Sequence, residues 1–140
     1  MMRANHGPRR GSAGQTAVEF ALAASVFLFV MFALTEMALV VYNYNTVCSA
    51  AREAVRYAIV HSPSSANPAT TSEIQQVAIN SAVNLNPAKL TVNVSFPSDP
   101  RLPSQLDALV QVSYQYSLQI PFRSPVKFSL ASSAQMLVSQ

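Results

Sequence analysis

Between Phe20 and Thr35 the chain runs for sixteen residues without a charge, and from Arg9 to Ser62 it contains no proline. With Glu36 tolerated, the apolar character continues to Val41. As a helix, Phe20 to Val41 spans roughly 33 Å, close to a bilayer core of about 30 Å. The helical pattern does not stop there. "YNYNTVCSAAREAVRYAIV" keeps apolar or small residues at Val47, Ala50, Ala51, Ala54, Val55 and Ala58, the spacing of one buried stripe. Arg52, Glu53 and Arg56 fall on the other side, and Pro63 ends the pattern. One helix from Thr16 to about Val60 is therefore expected, roughly 68 Å long.

Beyond it, "HSPSSANPATTSE" reads as a linker. Thr71 or Ser72 is a candidate cap for a short helix, "SEIQQVAINSAVN", with Ile74, Val77, Ala78 and Val83 inward. "LTVNVSF" then alternates, with Leu90, Val92, Val94 and Phe96 on one face. "VQVSYQYSLQI" does the same with Val110, Val112, Tyr114, Tyr116, Leu118 and Ile120, and "VKFSLASSAQMLV" makes a weaker third strand. Alternation implies one covered and one wet face, as in an antiparallel sheet. The expected fold is α+β: a long N-terminal helix, membrane-spanning in its first half, packed by its second half on about three antiparallel strands, plus one short helix. The expected division is a leader over 1–14, a transmembrane part over 15–41, an extramembrane part over 42–62 and a small α+β domain over 63–140.

Charge and glycine narrow the function. The net charge is +3, but Arg3, Arg9 and Arg10 all precede Gly14, and the remainder carries six residues of each sign. A neutral body gives no footprint for nucleic acid. Gly7, Gly11 and Gly14 are the only glycines. A phosphate loop, a dinucleotide fingerprint or a nucleophile elbow needs glycine further on, so those chemistries are excluded. His6 and His61 are isolated, and no triad, carboxylate pair or metal spacing is present. Neither an enzyme nor a cofactor is expected. Cys48 is the sole cysteine, so no intrachain disulfide forms. It reads as a small apolar residue or as a contact with the same residue of a neighbouring chain.

Three readings of the N-terminus compete. A secretory signal peptide needs a shorter apolar run and a small-x-small end, whereas Glu36 occupies that place. An ordinary signal anchor fits: Arg3, Arg9 and Arg10 keep the N-terminus inside, and Thr16 to Glu19 matches a capping box. On that view the strand-rich part is an extracytoplasmic binding domain. The third reading uses Gly14, Gln15, Glu19 and Phe20 together. A short basic leader ends at Gly14, and Glu19 falls fifth after it, followed by an aromatic.

This arrangement resembles the processing site of type IV-like prepilins, in the tight-adherence (Flp) branch. The segment "SAAREAVRYA" and the tail "ASSAQMLVSQ" are similar to those of TadE-like pseudopilins. TadF- and TadG-like relatives share the pattern, and major pilins of the branch are much shorter. The resemblance implies a minor pilin or pseudopilin in the bacterial inner membrane, with its N-terminus cytoplasmic and its C-terminal domain extracytoplasmic. A prepilin peptidase would cut between Gly14 and Gln15. Other pilins or pseudopilins, the membrane assembly platform and lipid would be its partners, with no nucleic acid.

Glu19 has a physical logic there, since a carboxylate on a bilayer helix is costly, about 2.5–3.5 kcal/mol at mid-span. The free amino group of Gln15 on a staggered neighbour would offset that cost and set register. Ala17, Ala21 and Ser25 repeat every four residues, as do Ala50, Ala54 and Ala58, giving two faces for close helix packing. Glu36 either snorkels or pairs with a neighbour, and Tyr42 and Tyr44 beside it read as an interfacial belt.

Overall fold

α1 (Ser12–Val60) is one uninterrupted helix of 49 residues. The computed structural model describes residues 12–98, 106–120 and 123–138, with side chains from residue 14 onward. The leader expected over 1–14 falls almost wholly outside them. The chain divides into two compact units with the boundary between Met37 and Ala38, and α1 contributes to both.

In the first unit α1 stands alone. Phe20, Leu22, Val26, Phe27, Leu28, Phe29 and Leu34 are all more than half exposed. Its hydroxyls are satisfied within the helix: Ser25 Oγ donates to the Ala21 carbonyl at 2.7 Å, and Thr35 Oγ1 to that of Met31 at 2.9 Å. Such back-bonding lets a short polar side chain sit in an apolar helix. Because α1 already begins at Ser12, Thr16 lies one turn inside it. The capping box read over Thr16 to Glu19 is therefore not at a helix start.

In the second unit α1 changes character. Val47, Ala50, Ala51, Ala54, Val55 and Ala58 are all 1% exposed or less, the stripe expected from the sequence. Alanine along this stripe lets the backbone approach its neighbours closely. The same burial removes Ala50, Ala54 and Ala58 from any role in packing against another chain's helix, which the four-residue repeat had suggested. The helix ends where Pro63 would clash with a further turn. His61 stacks on Tyr57 with centroids 4.2 Å apart, and its carbonyl accepts the Ala69 amide at 2.9 Å. The Ser- and Pro-rich stretch after α1 is thus pinned back to the helix end.

α2 (Thr71–Ser81) is capped one residue before the earlier of the two caps expected. Thr70 is the N-cap. Its hydroxyl accepts from the Glu73 amide at 3.3 Å, and the Glu73 carboxylate accepts from the Thr70 amide at 2.7 Å. Those bonds to Thr70 hold the Glu73 carboxyl below its ordinary value. Ile74 and Ala78 are buried as expected, but Val83 is 67% exposed. The helix stops at Ser81, Ala82 is the C-cap, and Asn84 takes a φ of 70°. At 100° per residue Val83 falls about 180° from Ile74, on the opposite face, whereas Ala82 and Leu85 fall on the Ile74 side and reach the core.

A short 3₁₀ turn, Pro87–Lys89, leads into β1 (Leu90–Ser95), followed by β2 (Asp107–Leu118) and β3 (Val126–Leu137). The strands form one antiparallel sheet in the order β1-β2-β3. Val92 faces Val112, and Val110 faces Ala134. The expected α+β architecture is what the chain adopts. Val92, Ala108, Val110, Val112 and Val138 join the α1 stripe and the buried face of α2 in a single core. Tyr114 packs against this core, whereas Tyr116 tilts onto Phe128 across the strand pair, centroids 5.6 Å apart.

β2 begins three residues earlier than its alternation suggests, at a buried carboxylate. Asp107 is 6% exposed. Its side chain accepts from Gln135 Nε2 at 2.7 Å, and its amide donates to the Pro97 carbonyl at 2.8 Å. The Val138 amide bonds the neighbouring Leu106 carbonyl at 2.9 Å. Together these bonds close the end of the sheet where the tail of β3 returns.

Ile74→Ala is expected to destabilise the second unit by about 2–4 kcal/mol through the cavity it leaves. Val83→Ala should change stability by less than about 0.5 kcal/mol, because its side chain is exposed. Denaturant unfolding of the two variants, followed by the far-ultraviolet signal of the sheet, compares them directly.

Candidate functional site

The residues singled out at the N-terminus lie on the first turns of α1. Gly14, Gln15, Val18, Glu19 and Leu22 line one shallow concavity of about 450 Å³ on the helix surface. At 100° per residue, Gly14, Val18, Ala21 and Ser25 fall within about 60° of one another. The small-residue stripe therefore adjoins the Gly14 face, and Ala17 lies at its border. Phe20 follows Glu19 about 100° further round, toward the opposite side. All of these side chains are exposed.

Gly14 has no intrachain reason to be glycine. It is helical, its φ is not positive, and a Cβ there would meet no atom within 4 Å. Glycine inside a helix costs roughly 0.5–1 kcal/mol relative to alanine. A residue that costs stability and gains nothing from its own chain points to recognition by something else. Among the described residues, Glu19 makes no ion pair; the single one is Arg56 with Glu53, at 3.9 Å.

The surface following this site is apolar on every side. α1 is long and apolar enough to cross a membrane, and its most apolar window is not covered by any other part of the chain. A helix that is hydrophobic all round must be buried in lipid or in partners. Inside a bilayer its backbone is fully satisfied by its own i to i−4 bonds. Glu36, half-exposed near the end of this stretch, precedes the exposed Tyr42 and Tyr44. One turn beyond Tyr44, Cys48 is half-buried, and its hydrogen bond raises the Tyr44 phenol above its ordinary value. Among the described residues, no three His, Cys, Asp or Glu gather as metal ligands.

Residues 14–56 match the family model described as TadE-like protein. This segment, under a third of the chain, is what is similar to that family. The match opens on Gly14, covers the exposed apolar helix and most of the buried stripe, and ends before α2 and the sheet. The apolar helix within it is a candidate membrane span near the N-terminus. No curated protein and no solved structure gives a match.

Sequence reasoning did not find Asp107, which holds the sheet end through a partner 28 residues away. It also gave no weight to the contrast between the two sheet edges. Both depend on pairing that a local pattern does not carry.

Proposed function

We propose that this protein is a minor pilin or pseudopilin of a tight-adherence pilus, made as a precursor and cut between Gly14 and Gln15 by a prepilin peptidase. The observation that carries the reading is the coincidence at Gly14. The TadE-like match begins there, and the fold gives that position no use for a glycine. Arg3, Arg9 and Arg10 would hold the leader on the cytoplasmic side, leaving residues 15–41 in the inner membrane. Residues 42–62 and the small α+β domain of 63–140 would then be extracytoplasmic.

After the cut, Gln15 carries a free amino group four residues from Glu19. In a staggered assembly that amine meets the Glu19 carboxylate of the next subunit in an apolar setting, where one ion pair specifies register. Ala17, Ala21 and Ser25 give the helices of neighbouring pilins a flat face for close approach. The role is structural, in assembly of the pilus and in adhesion, rather than enzymatic. The partners are other pilins or pseudopilins and the membrane platform that gathers them.

Co-expression with a prepilin peptidase, followed by mass spectrometry of the N-terminus, tests the processing step. A new terminus at Gln15 that disappears in Gly14→Val is expected. An intact N-terminus under the same conditions would leave a plain signal-anchored envelope protein with an extracytoplasmic binding domain. Glu19→Ala is expected to be cleaved normally but to lose co-purification with partner pilins. Undiminished recovery of those pilins would remove the role given to Glu19.

A further inference from the structure

The two edges of the sheet are treated differently. β1 is covered: Gln75 of α2 donates from Nε2 to the outward carbonyl of Val92 at 3.0 Å, and α2 supplies the buried Ile74 and Ala78 beside it. β3 is bare. Among the described residues its only strand partner is β2, along twelve residues in unbroken register from Val126 to Leu137. It contains no proline or bulge and a single charge, Lys127. Natural edge strands are normally blunted by such devices, or by a covering element, because their unpaired amides and carbonyls are a template for another strand.

Beside this edge lies a cleft of about 310 Å³, lined by Arg52, Val55 and Arg56 of α1 and by Ser132 to Met136 of β3. The two arginines stand one turn apart and both are exposed. Among the described residues Arg56 has only the loose contact with Glu53, in which both side chains are more than half exposed. An exposed pair of that kind is worth little. Gln135 is committed to Asp107. The cleft therefore combines two available guanidinium groups with a floor of serine and alanine. Exposed apolar side chains stand at either end of the strand, Val126 and Phe128 at one and Met136 and Leu137 at the other.

We propose that the β3 edge and this cleft bind an extended, acidic segment of a partner protein by strand addition. The segment's backbone pairs with β3, and its carboxylates reach Arg52 and Arg56, whose planar forks suit them. Its alternate apolar side chains rest on the strand ends. Charge selects this occupant over a second copy of the same strand, because residues 126–140 contain no Asp or Glu. The site is independent of processing at Gly14.

The full chain in detergent micelles is titrated with a synthetic strand of about eight residues, alternating threonine and valine and carrying two aspartates. A second probe has lysines in place of the aspartates, and a third has alternate backbone amides methylated. The acidic probe is expected to bind saturably and to slow amide exchange at alternate residues of Val126 to Leu137. In Arg52→Gln/Arg56→Gln its affinity should fall about thirtyfold, two exposed pairs at their upper range, and the lysine and methylated probes should bind far more weakly. The substitutions sit at exposed positions and the methyl groups are in the probe, so misfolding does not imitate this result. Equal binding of acidic and basic probes would overturn the proposal. So would protection at β1 instead of β3, no binding at all, or a β3 edge already protected by self-association of the probe-free chain.

Discussion

The contact between the alanine and valine stripe of α1 and the central strand is the constraint on which the second unit rests. Val47, Ala50, Ala51, Ala54, Val55 and Ala58 meet Ala108, Val110 and Val112 in a core with almost no exposed surface. Small side chains on the helix and β-branched side chains on β2 share this core. A larger residue at Ala51 or Ala54 would force the layers apart, because interiors are packed to the density of organic crystals. α2 completes the core by laying Ile74 and Ala78 beside β1. The strand at the other edge is left open, and that asymmetry is a direct outcome of having one long helix and one short one to cover three strands.

α1 meets two different solvents along its length. From Gly14 to Met37 none of its apolar side chains is buried among the described residues, while from Val47 onward a single stripe is buried and Arg52, Glu53 and Arg56 are exposed. The two parts differ in composition as their surroundings demand: Phe, Leu and Val on every side first, then alanine on one face with Arg52, Glu53 and Arg56 on another. A soluble protein has no use for the first part, and the fold has no use for the glycine at its head. Both features fall within the TadE-like match.

Much of this was legible because it is periodic. The stripe of α1, the alternation of β1 and the inward Val110, Val112 and Tyr114 of β2 were read from spacing alone, since a buried face repeats at 3.6 or 2 residues wherever it continues; Tyr116, Leu118 and Ile120, expected on the same face, lie outside the core. What was missed lies where the phase of a period was misjudged or where a distant partner decides. Val83 was set inward, but at 100° per residue it falls about 180° from Ile74, on the outer face, and it is exposed. The N-cap could have been found: of Thr70, Thr71 and Ser72, only Thr70 stands three residues before Glu73, the reciprocal partner of a capping box. Asp107 had no such local signal. A charged residue beside Leu106 reads as loop until Gln135 is folded against it.

The central claim is that one helix serves lipid in its first part and its own sheet in its second. It is tested most directly by placing single spin labels along α1 in lipid nanodiscs and measuring their accessibility to oxygen and to a water-soluble relaxant. Labels from Phe20 to Thr35 should be accessible to oxygen on all sides and shielded from the aqueous relaxant. Labels from Val47 to Ala58 should show a helical period, shielded from both reagents at the buried stripe and open to the aqueous one at Arg52, Glu53 and Arg56. Aqueous access throughout Phe20 to Thr35, or loss of the helical period beyond Val47, would contradict the account.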